Sequence, residues 1–501
     1  MSNQQTLTVV NMGIDTHQEL VVYMREDCHI CLAEGFNASN QLAIKHGVNN
    51  IIATLNVTAG QILNKGQIGL SRIALERLKV QAGDNVIVNH APVIHSLSSV
   101  RKKIFGGTLN HDEIFSIISD ISAHRYRDIE ISSFLSVCAG DRLNINEIIN
   151  LTKAMVECGH TLCWPNHSAI YDKHCIGGLP GNRTTPIVVS IVSAAGLVIP
   201  KTSSRAITSP AGTADTMECL TQVNLELADI QHIVDTTGAC LAWGGAVNLS
   251  PADDILIRIE KALNLDGEGQ LVASVLSKKI AAGSTHVLID IPVGETAKVR
   301  TTAQAKHLVE LFNTVAQACN IIVKCVITDG SKPIGKGIGP VEEAKDVVAV
   351  LSGQKTAPQD LRERALFLAA NLISMAKNLN FEQSLKSATK LLDNGQANQK
   401  FKQILLAQGG IKTLPIAKFS HTETTLSAGK LVAIDNRKLA RLTRLAGAPE
   451  NSTAGLRLHA NVGDILTVGK PLFTLFSESN GEQEYALNYY TNNNDIFTFE
   501  E

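Results

Sequence analysis

The sequence predicts an α/β multidomain protein with four parts in chain order. These are an N-terminal β-barrel-like domain, an α-helical subdomain, a central mixed α/β domain and a C-terminal β-rich domain of barrel or hammerhead type. Three observations carry that prediction. At 501 residues the chain is longer than one hydrophobic core usually serves. Hydrophobic residues make up 44% and charged residues 18%, which supplies apolar material for large cores and argues against extensive disorder. The apolar pattern also changes along the chain, from short β-rich runs to helical spacing, to alternating runs of both kinds, and back to short runs.

Residues 1–90 hold the β-rich runs Leu20–Met24, Asn50–Leu55, Gly66–Leu70 and Asn85–Val88, broken by turn signals such as Ala82-Gly83-Asp84, with one helix around Ser71–Val80. Residues 91–165 change character, and His111–Ser122 and Ile145–Cys158 carry apolar residues at helical spacing. Residues 166–412 form the central domain. There the β-branched runs Ile187–Pro200, Ala246–Leu249, Thr285–Ile291 and Asn320–Asp329 read as strands between helical stretches, followed by helices at Val341–Ser352, Leu361–Ala376 and Phe381–Asp393. Residues 413–501 return to Gly- and Ala-bounded strands, and the last ten residues read as a frayed tail.

A formal net charge of −2 leaves no basic field for nucleic-acid polymers, and an aromatic content of 4% offers few platforms for stacking bases. The first residues lack a signal-peptide pattern and no apolar run is long enough to span a membrane, so a cytoplasmic protein is expected. The ten cysteines are then expected to be mostly buried small hydrophobes. Neither Cys28-His29-Ile30-Cys31 nor the set Cys158, His160, Cys163 and His167 has the spacing of a structural zinc site, so no metal is expected.

The chemistry concentrates in two segments. Residues 173–185, KHCIGGLPGNRTT, combine Lys173, His174, three glycines, Arg183 and two threonines directly before an apolar run. Glycines let the backbone approach a ligand and present its N–H groups, hydroxyls add donors, Lys173 adds charge, and a helix starting near Thr185 would aim its positive end at the same place. The residue types fit an anion cradle or a solvated surface turn, and the P-loop spacing is absent. Residues 201–215, KTSSRAITSPAGTAD, follow with six hydroxyls and two cations. At the carboxyl ends of neighbouring strands the two segments would line one crevice, with a helix beginning near Thr213.

With the blocks Ser250–Asp254, Leu271–Lys279 and Thr328–Pro340, these segments resemble the thymidine and pyrimidine-nucleoside phosphorylases, whose longer form includes the AMP phosphorylases. The resemblance runs through most of residues 85–480 and implies a pentosyltransferase. Inorganic phosphate would attack the anomeric carbon of thymidine, releasing thymine and 2-deoxy-α-ribose 1-phosphate, with phosphate as co-substrate and no cofactor. It implies substrate and phosphate contacts at Lys173, Gly178, Thr185, Ser204, Arg205, Ala206, Ile207, Thr208, Ser209, Thr213, Ser274, Lys278 and Lys298, and leaves Asp266 and His174 both open as proton donor.

In the family Ser274 and Lys278, four apart on the predicted helix 270–282, grip the base, and this helix joins the α subdomain. The partners implied are a small nucleoside or nucleotide, phosphate, and a second copy of the chain in a homodimer or larger assembly. Two departures stand out. Thr296 stands where a glycine is expected, which leaves the backbone conformation of that loop open, and the segment after Pro251-Ala252-Asp253 lacks a tyrosine that helps hold the base in nucleoside-specific members, which bears on substrate. Phosphorolysis of a nucleoside 5′-monophosphate is therefore the alternative, ahead of a phosphoribosyltransferase or a non-catalytic nucleotide-binding protein.

Overall fold

The computed structural model describes residues 6–59, 62–206, 209–247, 249–263, 265, 267–377 and 379–500. Two compact units emerge: residues 1–107 with 119–131, and residues 108–118 with 132–501.

In the first unit six strands close into a barrel in the order β1-β5-β2-β4-β3-β6: β1 (Thr6–Asn11), β2 (Val21–Arg25), β3 (Gln41–His46), β4 (Asn49–Thr58), β5 (Gln67–Leu70) and β6 (Asn85–His90). Alternating residues such as Leu7, Val9, Leu42, Ile44, Val86 and Val88 fill its interior, as a pleated sheet with one buried face requires. Sequence reading found four of these strands and missed β1 and β3, as well as the short helix His29–Glu34, whose Cys28 and Cys31 are buried in the same core.

The second unit is built on parallel strands: β7 (Tyr171–Cys175), β8 (Ile199–Ser203), β9 (Ala239–Trp243), β10 (His286–Val293) and β11 (Ile322–Asp329). They pair as β11-β10-β7 and as β8-β9, and the Tyr171 N–H donates to the Val198 carbonyl at 2.9 Å to bring the two sets side by side. Two expected strands are corrected here. Most of Ile187–Pro200 is helix, Thr184–Ala194, and only its end enters β8. All residues from Thr184 to Ser193 are buried, so core packing on every side overrides the strand preference of its valines and isoleucines. Among the described residues of Ala246–Leu249 no strand forms either: Gly244–Val247 form a 3-10 turn, and the strand lies just before it as β9.

Helices Ile145–Glu157 and Glu268–Ala281 pack together, and an Asn144–Glu147 capping box starts the first. Helices Pro340–Leu351, Gln359–Lys377, Phe381–Asp393 and Gln396–Ala407 build the main core against Thr184–Ala194. The chain then forms a sheet of order β12-β15-β17-β13, from β12 (Gly337–Ile338), β13 (Phe419–Thr424), β15 (Gly455–Leu458) and β17 (Pro471–Ser477). A smaller sheet has the order β16-β14-β18, from β14 (Gly429–Ile434), β16 (Ile465–Leu466) and β18 (Phe497–Glu500). The expected frayed end is thus a strand: Phe497 is buried and stacks on Phe473 with ring centroids 5.7 Å apart. Five of the ten cysteines are buried, Cys163 is exposed and the others are intermediate. Among the described residues no helix is long and apolar enough to cross a membrane.

Candidate active site

The carboxyl ends of β7, β8, β10 and β11 open into the loops that carry most of the expected site residues, the usual ligand position in an open parallel sheet. Along β7 alternate side chains leave opposite faces, which separates Lys173 from Asp172 and His174.

Lys173 is 1% exposed. Its ammonium donates to Thr184 Oγ1 at 2.9 Å and to Thr185 Oγ1 at 3.4 Å, in the first turn of helix Thr184–Ala194. No carboxylate among the described residues lies within ion-pair distance of it. Burial pulls its pKa down from the usual lysine value, opposed by Cys175 and then by Asp290. Asp290 is itself buried, and its Oδ1 accepts from Thr328 Oγ1 at 2.6 Å. A cation buried at the positive end of a helix is unfavourable unless an anion joins it.

On the other face of β7, Asp172 is 0% exposed and sits between two buried lysines, Lys201 at 3.2 Å and Lys279 at 2.7 Å. Burial pushes the Asp172 carboxyl up, but the two lysines outweigh it and hold it below its ordinary value. Half-buried His174 faces the same cations. Burial, then the charges of Lys279, Lys201, Lys278 and Lys173, drive its pKa well below the ordinary 6.5. The imidazole is therefore neutral at physiological pH and can donate or accept a hydrogen bond without carrying charge. Lys278 is held by buried Asp253 at 2.6 Å, and half-buried Ser274 lies one helical turn before it.

The glycine loop meets the rest of the site through contacts that need a missing side chain. Gly178 has φ +91°, and a Cβ there would lie 2.3 Å from the Lys298 backbone nitrogen, so the cradle and the Lys298 loop are in contact. Thr296 adopts its place without glycine's freedom: its Oγ1 accepts from Asn436 Nδ2 at 3.0 Å.

The second segment is organised by its own acids. Asp215 Oδ2 accepts from the N–H groups of Ala206 and Gly212 at 2.7 and 2.8 Å. Arg205 pairs with Glu218 at 2.6 Å and Asp215 at 3.2 Å, and its guanidinium lies 4.9 Å over the Trp243 ring. Its charge is largely spent within the protein. Ser209 Oγ donates to the Ala211 carbonyl, and Ser204 is exposed at the end of β8. Thr213 Oγ1 accepts from Arg183, which also reaches the Ala211 carbonyl and Glu343, at 2.7, 2.8 and 2.6 Å. Burial raises the Glu343 carboxyl to about 7, with Arg183 opposing that rise. Ile207, Thr208 and Asp266 lie outside the described residues.

The structure thus joins Lys173 to Thr185 and Gly178 to the Lys298 loop at the strand ends, puts His174 on the other face of β7 within the field of Lys278, and carries Ser204, Arg205, Ala206, Ser209 and Thr213 in the segment after β8. Sequence reading missed Asp172 and Lys279, which pair with each other beside Lys201, and the clamp made by Arg183 and Glu343. The one available signal was the Asp directly before Lys173. As for a metal, ligand atoms of Asp141, Glu268 and His307 lie within 4.8 Å of one another, two of the three residues exposed.

A parallel sheet with a helical pair beside it carries the lysine, threonines and glycines of the candidate cradle at its strand ends, and glycosyltransferase family models match this part of the chain. The family model described as "Glycosyl transferase family, a/b domain" matches residues 167–398, and "Glycosyl transferase family, helical bundle domain" matches residues 98–159. A protein of Acidovorax sp. (strain JS42) named "Putative thymidine phosphorylase 2" is 51% identical over 98% of this chain and 95% of its own length. A Legionella pneumophila (strain Paris) protein named "Putative thymidine phosphorylase" is 50% identical with the same coverage. The chain belongs to the thymidine and pyrimidine-nucleoside phosphorylase family. Its fold is shared with the anthranilate phosphoribosyltransferase of Thermus thermophilus, at TM-score 0.51 and 16% identity over 62% of this chain and 99% of that one.

Proposed function

We propose that this pentosyltransferase carries out phosphorolysis of a pyrimidine nucleoside of the thymidine type. A phosphate oxygen attacks the anomeric carbon, the bond from that carbon to the base nitrogen breaks, and the base leaves with a proton while a pentose 1-phosphate forms. The observation that carries this reading is buried Lys173, whose ammonium donates to two hydroxyls at a helix N-terminus and, among the described residues, has no carboxylate within ion-pair distance. A phosphate dianion would supply the missing charge and accept from Thr184, Thr185 and the backbone around Gly178.

Neutral His174 acts as a hydrogen-bond donor to the departing base rather than as a charged acid, because burial and then the four lysines oppose its protonation. Lys278, oriented by Asp253, and Ser274 hold the polar edge of the base. Asp266 is the other candidate for the proton transfer. The contact of Gly178 with the Lys298 backbone brings a further lysine beside the cradle, and this favours a second reading in which the substrate is a nucleoside 5′-monophosphate. Arg205, paired with two carboxylates, does not add to that case.

The test is phosphate-dependent release of free base from thymidine, uridine, AMP, CMP and UMP at neutral pH. Release from thymidine or uridine, abolished in Lys173→Ala, is expected. Preference for a monophosphate would favour the second reading, and no release from any of them would overturn both.

A further inference from the structure

We infer that Asn436 and Arg437, far along the chain at the start of helix Asn436–Leu445, are positioning residues for the catalytic centre. They act by fixing the 294–298 loop that carries Lys298 against the glycine cradle. This rests on the proposed function for its kinetic readout, though not for its binding readout.

Asn436 is 1% exposed. Its Nδ2 donates to Thr296 Oγ1 at 3.0 Å and to the Gly330 carbonyl at 3.1 Å, and its backbone N–H reaches the same Thr296 oxygen at 3.3 Å. Arg437 donates from Nε to the Thr296 carbonyl at 3.3 Å and from Nη2 to the Ala297 carbonyl at 3.1 Å. Five donor contacts therefore converge on the loops that follow β10 and β11. Loop 294–298 lies against Gly178 so closely that a Cβ would overlap the Lys298 nitrogen.

The anchor is rigid. Asp435 Oδ1 caps the helix by accepting from the N–H groups of Arg437 and Lys438 at 2.8 and 2.9 Å, while Leu439 and Leu442 on the same helix are buried in the core around β14, β15 and β17. The side-chain oxygen of Asn436 is buried and finds no partner among the described residues. Leaving a buried acceptor unpaired costs stability, so the amide is better explained by what its nitrogen holds than by its own burial. A second link reinforces the first. Arg457 on β15 pairs with Glu342 at 2.6 Å and Asp346 at 3.1 Å on helix Pro340–Leu351, and the next residue, Glu343, carries the Arg183 clamp on residues 211–213.

Thr296→Val keeps the shape of the side chain and removes the hydroxyl, Thr296→Ser restores it, and Asn436→Ala removes its partner. Phosphate KM, nucleoside KM, kcat and the phosphate-induced rise in Tm are measured for each. The expected result is a phosphate KM raised about tenfold in Thr296→Val and Asn436→Ala, with a smaller change in nucleoside KM. Thr296→Ser should lie within about twofold of the unmodified protein, and Thr296→Val with Asn436→Ala together should be no worse than either alone.

Equal losses in every parameter, additive effects of the two substitutions, or unchanged phosphate affinity would overturn the positioning role. If the unmodified protein turns over no nucleoside, the proposed function fails. The phosphate-induced Tm shift then decides this inference alone, and its absence from the unmodified protein overturns it.

Discussion

Replacing His174 by Asn tests whether the cations around it fix its protonation state. The folded imidazole, pressed by burial and then by Lys279, Lys201, Lys278 and Lys173, binds its proton less tightly than the ordinary 6.5 of an unfolded chain. Below about pH 6.5 unfolding therefore takes up a proton, and stability falls as pH drops toward the depressed folded value. Each unit of pH below that costs about 1.4 kcal/mol at most. His174 is only half-buried, so water screens part of the effect and the slope lies below that limit. Urea unfolding of both proteins between about pH 7.5 and 5 measures the difference, and the stability gap should shift in favour of His174→Asn on acidification. NMR of selectively labelled histidines gives the site directly. A His174 signal titrating near 6.5, or a gap that does not move with pH, would refute the argument and restore the imidazolium as a general acid.

Asp172→Asn leaves Lys201 and Lys279 buried beside each other without their shared anion. A loss of about 3–5 kcal/mol in urea unfolding is expected, well above an exposed-pair change such as Lys386→Ala. Gly178→Ala meets both a positive φ and the Lys298 backbone, so phosphate affinity measured by kinetics should fall at least tenfold, with a stability loss of about 1–3 kcal/mol. Phe497→Ala removes a ring buried between Phe473 and Tyr490, and should lower stability by about 3–5 kcal/mol in thermal or chemical melts.

What was legible in the sequence was local. The cradle combines glycines, hydroxyls and a lysine within thirteen positions, and helix Glu268–Ala281 shows its Ser274–Lys278 pair at one-turn spacing. The helix start at Thr184 followed from the same short stretch. What stayed hidden depends on pairs distant in the chain. Arg183 meets Glu343 across 160 positions, and Asn436 meets Thr296 across 140. The threonine where a glycine was expected looked like a liability for loop conformation, yet its hydroxyl is bonded to a residue far along the chain. Helix Thr184–Ala194 was also misread beyond its first turn, because a helix buried all round has no polar face to mark its period. The terminal residues looked acidic and loose, yet two phenylalanines carry them into a sheet through pairing with β14.

If an anion binds at buried Lys173 as proposed, solvent composition becomes part of this protein's stability. A dianion that settles there binds only the folded chain, and by mass action at a hundred times its dissociation constant it adds about 2.7 kcal/mol. Phosphate or sulfate in a storage or screening buffer would then act as a folding ligand. Its removal by dialysis should lower the melting temperature of a preparation whose sequence and ionic strength are unchanged.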